Sequence, residues 1–155
     1  MTAHGGLIVA IELATRKRDQ AGQALALLVR KHDNAQIQLD QLQSYAVDTT
    51  VRWSVSAQVS STPQIVGHYY QFMARLEDTV VLQQGVITDV LRQSQAARRV
   101  LVETEVRLAG LNRLLDQRQR EINRLAAQRE QKQSDEFAAR QHRAAASSHA
   151  FRETS

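Results

Sequence analysis

The 155-residue chain contains no cysteine, one proline and six glycines, and only 5% of it is aromatic. Without cysteine there is no disulfide framework and no thiolate metal site. With so little proline and glycine the chain has few breaks, and its abundant Ala, Leu, Gln and Arg are good helix formers. The aromatic content is thin for a compact core, although the length suits a single domain spanning residues 1–155. No stretch approaches the roughly 20 apolar residues that span a bilayer. The first fifteen residues lack a basic start followed by an apolar run and a cleavage site, so a soluble chain outside the signal-peptide route is expected. There is no glycine-rich phosphate loop, His-Glu-x-x-His or nucleophile elbow. His4, His32, His68, His142 and His149 are scattered along the chain. No enzyme activity, cofactor or metal is expected.

What is present is a rhythm of alternating four- and three-residue steps. From Leu7 it runs through Ile11, Ala14, Arg18, Ala21, Leu25, Leu28, His32, Ala35, Leu39, Leu42, Ala46, Thr49 and Trp53, and only Arg18, His32 and Thr49 are not apolar. Spacing of this kind is the seam of a coiled coil. It predicts a first helix over about residues 4–54.

The rhythm breaks over a polar stretch, Ser54 to Pro63, that holds the only proline, so a turn is expected at about 55–62. Ser61 or Thr62 suits the N-cap of a second helix with Pro63 in its first turn, and Gln64 could complete a capping box with Ser61. The second stripe passes Tyr69, Met73, Leu76, Val80, Gln83, Ile87, Val90, Ser94, Ala97, Leu101, Thr104, Leu108, Leu111 and Leu115, then Arg118, Ile122 and Leu125. The expected fold is all-α: a long antiparallel two-helix coiled-coil hairpin whose second helix, about 63–142, is the longer. The Ala- and Ser-rich residues 143–155 read as a disordered tail.

The turn sets the register. With Trp53 beside Val66 to Tyr69, Leu42 meets roughly Leu76 to Val80, and Leu7 meets roughly Asn112 to Leu115. About 25 residues of the second helix, about 40 Å at 1.5 Å per residue, are then left without a partner from the first. A stripe that outlives its partner points to binding of another protein, or to frayed ends and self-contacts. Polar seam residues such as Arg18, His32, Gln83, Ser94 and Thr104 read as snorkelling or register-fixing positions. Gly22, Gly67, Gly85 and Gly110 each cost about 1 kcal/mol relative to Ala, and mark either close approach of a partner or tolerant surface.

The net charge of +4 is uneven. Residues 54–91 carry one Arg against three carboxylates, whereas residues 92–132 carry ten Lys and Arg against five. Such a basic stretch steers a chain toward an acidic surface or remains a solvated face. Nucleic acid is not expected, because there is no zinc-finger spacing and no aromatic residue in the basic segment on which bases could stack. That segment also lacks a Trp or Phe face for membrane insertion.

Four segments carry a family resemblance: His4-Gly5-Gly6-Leu7, Gln38-Leu39-x-x-Leu42-x-x-Tyr45, Tyr70-Gln71-Phe72-Met73-x-x-Leu76-Glu77, and Gln131 to Ala138 with its Asp135-Glu136-Phe137. In order and spacing, over nearly the whole chain, the sequence resembles the FliJ family of flagellar type III export proteins. The resemblance implies a cytoplasmic component at the inner-membrane base of the flagellum. It implies a stalk-like hairpin that enters and stimulates the hexameric export ATPase, contacts the cytoplasmic region of the export-gate protein, and binds export chaperones. By position the gate contact would use Gln38, Leu42, Tyr45, Phe72 and Leu76. Thr49, Thr79 and Gln83 depart from the family surface, where an aromatic, a small apolar residue and a His would fit. The ATPase contact is expected at Arg118, Arg120, Ile122, Arg124 and Leu125, where the stripe continues unpaired among excess Arg. The alternatives are the stalk of a virulence injectisome and a generic coiled-coil tether. A stalk is expected to be monomeric alone, and a tether to dimerise.

Overall fold

The computed structural model describes residues 4–57 and 62–154. Two helices, α1 (Gly5–Ala57) and α2 (Pro63–Glu153), account for the described secondary structure. The chain divides into two compact units, Glu12–Leu108 and Met1–Ile11 with Ala109–Ser155.

In the unit Glu12–Leu108 the helices form an antiparallel hairpin. Every stripe position expected from the sequence there is buried or half-buried, from Ala14 to Trp53 on α1 and from Tyr69 to Leu108 on α2. Ala14 is the most enclosed, at 2% exposure. Small residues recur on α1 at Ala14, Ala21 and Ala35, all buried, which lets the backbones approach. The register is constant. Trp53 stacks on Tyr69, Gln83 bonds to Ala35, and Gly22 faces Leu101.

Polar seam residues are satisfied locally. The Ser94 hydroxyl donates to the Leu91 carbonyl at 2.8 Å and Thr104 to that of Leu101 at 2.7 Å. Arg18 reaches outward to Asp19 at 2.8 Å. Gln83 bonds across the seam, donating to the Ala35 carbonyl at 2.9 Å and to Gln38 Oε1 at 3.1 Å.

In the other unit, Leu7 is buried, and Ala10, Ile11, Leu111 and Leu115 are half-buried. Beyond Leu115 every described residue of α2 is exposed.

The helix ends follow their local chemistry. Thr62 caps α2, its Oγ1 accepting the Ile65 N–H at 3.3 Å while its carbonyl accepts that of Val66 at 3.0 Å. Pro63 takes the first helical position, where its missing N–H leaves nothing unsatisfied. The alternative cap at Ser61 and its capping box lie outside the described residues, as do residues 58–60 of the expected turn. Helix α1 runs three residues past its expected end, to Ala57. There Ser54 donates to the Val51 carbonyl at 2.7 Å, so its hydroxyl is satisfied inside the helix.

The tail expected to be disordered from residue 143 is instead helical to Glu153. No glycine or proline follows Gly110, and Ala144, Ala145, Ala146 and Ala150 favour continuation. Ser147 and Ser148 bond back to the Ala144 and Ala145 carbonyls, and Arg152 sits in the last turn, where the helix dipole favours a cation.

Candidate partner-binding flanks

An antiparallel pair of helices buries its stripe and leaves two flanks, each formed where the helices meet solvent. On one flank the seven-residue spacing of Gln38 and Tyr45 carries both side chains to the same side of α1. Tyr45 meets Phe72 of α2 edge to face, with centroids 6.0 Å apart and planes at 79°. Tyr45 and Phe72 are both exposed, so the pair forms an aromatic ridge available to a partner. Beside it lies a groove of about 490 Å³ lined by Gln38, Gln41, Leu42, Tyr45 and Gln83. Gln83 holds Gln38 by its side-chain oxygen, fixing one wall.

Four of the five carried-over gate residues therefore share this flank. Leu76 is different: it is buried in the seam at 8% exposure and lines a groove with Ala46, Val47 and Val81. Gln41 was not singled out from the sequence. Its place three residues after Gln38 and four before Tyr45 is the helical spacing that would have found it.

Of the five residues expected at the ATPase contact, all are exposed, and all belong to the unit that contains Ala109–Ser155. Ile122 and Leu125 continue the stripe and are each 42% exposed. Arg120 pairs with Asp116 at 3.0 Å, one turn earlier. Arg124 forks onto Glu121 through Nε at 3.1 Å and Nη2 at 2.6 Å. That hydrogen-bonded pair holds the Glu121 carboxyl below its ordinary value and raises the Arg124 guanidinium. Arg118 has no ion-pair partner among the described residues, which leaves it the freest of the three cations.

Among the described residues no three His, Asp or Glu side chains gather as a metal site. No described helix is long and apolar enough to cross a membrane. The surfaces that remain are suited to protein contact: a ridge, shallow grooves and an unpaired helical stripe.

No curated protein and no solved structure matches the chain. The family model described as flagellar FliJ protein matches residues 6–147, all but the first five and last eight residues. The chain belongs to the flagellar FliJ protein family, components of the flagellar export apparatus.

Proposed function

We propose that this chain is the stalk-like hairpin of a flagellar export apparatus, with the export gate bound at the Tyr45–Phe72 flank and the export ATPase at the exposed stripe of α2. The observation that carries the gate contact is the Tyr45–Phe72 pair itself, two exposed aromatic rings from different helices held 6.0 Å apart. Exposed aromatics in a fixed arrangement supply contact area at little entropic cost, the usual property of binding hot spots. Gln38 and Leu42 supply the groove beside them. For the ATPase, support comes from Ile122 and Leu125, apolar and uncovered, flanked by Arg118, Arg120 and Arg124. Export chaperones complete the set of partners, and the chain works in the cytoplasm, peripherally at the inner membrane. Membership of the flagellar family favours this system over a virulence injectisome.

A pull-down against the export ATPase and the cytoplasmic region of the gate tests the reading. Wild-type protein is expected to retain both, and Tyr45→Ala with Phe72→Ala to lose the gate alone. Retention of neither overturns the proposal. A generic tether is the second reading. It predicts a concentration-dependent dimer in sedimentation, where the stalk remains a monomer.

A further inference from the structure

The hairpin unit has a second groove, of about 530 Å³, on the flank away from Tyr45 and Phe72. Its floor is Ala46, Leu76 and Val80, and its walls are Val47 and Val81. The two valines are 62% and 64% exposed. Both lie outside the seam.

The groove lining carries one charged side chain, the Glu77 carboxylate. The stretches that hold the groove, residues 32–51 and 76–91, contain Asp33, Asp40, Asp48, Glu77, Asp78 and Asp89 and no Lys or Arg, with Lys31, Arg52, Arg75 and Arg92 at their outer bounds. Glu77 lines the groove directly and has no ion-pair partner among the described residues. Asp40 and Asp33 lie seven and fourteen residues before Val47, on the same stripe of α1, and Asp33 has His32 Nδ1 at 3.7 Å. Among the described residues Asp40 accepts from Gln36 of its own helix, at 3.1 Å. Carboxylates without a Lys or Arg partner beside an apolar trough favour an occupant that brings both apolar anchors and cations.

We propose that this groove docks an amphipathic helix of a partner protein, with Leu- or Ile-type anchors on one face and Lys or Arg beside them. The trough between two antiparallel helices accepts a third helix by interdigitation of side-chain ridges, and it offers no sheet edge to an extended strand. The site is independent of the aromatic flank: Val47 and Val81 can be changed without touching Tyr45 or Phe72.

The test uses the full chain and two labelled helical peptides, one of Leu and Lys with Leu at helical spacing, and its counterpart of Leu and Glu. Fluorescence anisotropy at low salt is expected to show binding of the Leu–Lys peptide alone. Val47→Lys with Val81→Lys should weaken it about tenfold or more, because anchors are lost and like charge is added. These positions are exposed, so an unchanged thermal melt is expected to accompany the loss. As a variant that leaves the apolar trough intact, Asp40→Asn with Glu77→Gln should weaken binding about threefold or more at low salt and leave it unchanged at about 0.5 M salt. Tyr45→Ala with Phe72→Ala should bind as wild type does. Absence of binding, equal binding of both peptides, insensitivity to the valine and carboxylate changes, or loss in the aromatic variant would overturn the proposal. So would a dimer in sedimentation that Val81→Lys dissolves, since the occupant would then be a second copy.

Discussion

The indole of Trp53 lies on the phenol ring of Tyr69, with centroids 4.4 Å apart and planes within 8° of parallel, at the end of the hairpin nearest its connection. Tyr69 also donates its hydroxyl to Thr50 Oγ1 at 3.5 Å, a long bond. The ring contact therefore holds this end more than the hydroxyl does. Trp53→Ala should lower unfolding free energy by about 2 kcal/mol, from lost half-buried area and lost stacking. Tyr69→Phe should cost under about 0.5 kcal/mol. Urea titration of both variants separates the two contributions.

Gly85 and Gly110 sit in open space, where an added Cβ would meet nothing within 4 Å. At Gly22 an added Cβ would lie 3.9 Å from Leu101 Cδ1, an ordinary contact. None of the described glycines has positive φ, so none of these is held by backbone geometry. Gly85→Ala should stabilise by about 1 kcal/mol, and Gly22→Ala should be stabilising or neutral. A thermal melt checks this. If Gly85→Ala stabilises the chain but weakens partner capture, the glycine serves close approach of the partner.

Ala14 is 2% exposed between the two helices. Ala14→Leu adds three carbons where the backbones approach closely, and should destabilise by about 1–3 kcal/mol. Leu76→Ala removes volume from the seam instead, and should cost about 2–3 kcal/mol. Because Leu76 supports the hairpin from inside, loss of partner binding in that variant carries weight only when its unfolding midpoint is reported beside it.

The seam was legible from the sequence because one physical rule governs it. A residue every 3.5 positions must be apolar to be covered, and the turn chemistry of Thr62 and Pro63 fixes where the second stripe begins. The end of coverage at Leu115 followed from the lengths of the two stripes. The C-terminal end was not legible in the same way. Residues 143–153 carry no seam, and a composition rich in Ala and Ser satisfies helix and tail equally until local bonds such as Ser147 to Ala144 are seen. The flanks were only partly legible. Family-like positions pointed to Tyr45 and Phe72, but the division that sends Leu76 toward the opposite groove depends on which side of the seam each stripe position leans. The groove at Val47 and Val81 was missed because both fall outside the stripe.

The bidentate Glu121–Arg124 pair depresses the Glu121 carboxyl below its ordinary 4.5. A depressed folded-state value means its helix-stabilising effect is present above pH 4.5 and is lost as pH falls through the lowered value. Both side chains are exposed, so the effect is local and screened by salt. Carboxyl NMR titration should place Glu121 below the other exposed glutamates, and Arg124→Gln should bring it back toward them. An unshifted Glu121 in the wild type would show that the pair does not persist in solution.

From Asp116 to Glu153 no described residue is buried, so nothing but the helix's own hydrogen bonds and pairs such as Asp116–Arg120 and Glu121–Arg124 holds it. A helix without a packed face is marginal in water. Native-state hydrogen exchange should therefore divide α2 in two. Amides near Leu76 and Leu108 should be protected close to the global unfolding free energy, and those beyond about residue 118 should exchange with little protection. Adding the export ATPase should slow exchange in residues 118–125 if Arg118, Ile122 and Leu125 form its contact. Strong protection there in the isolated chain would mean that a second molecule already covers the stripe, and sedimentation of the same sample would reveal it.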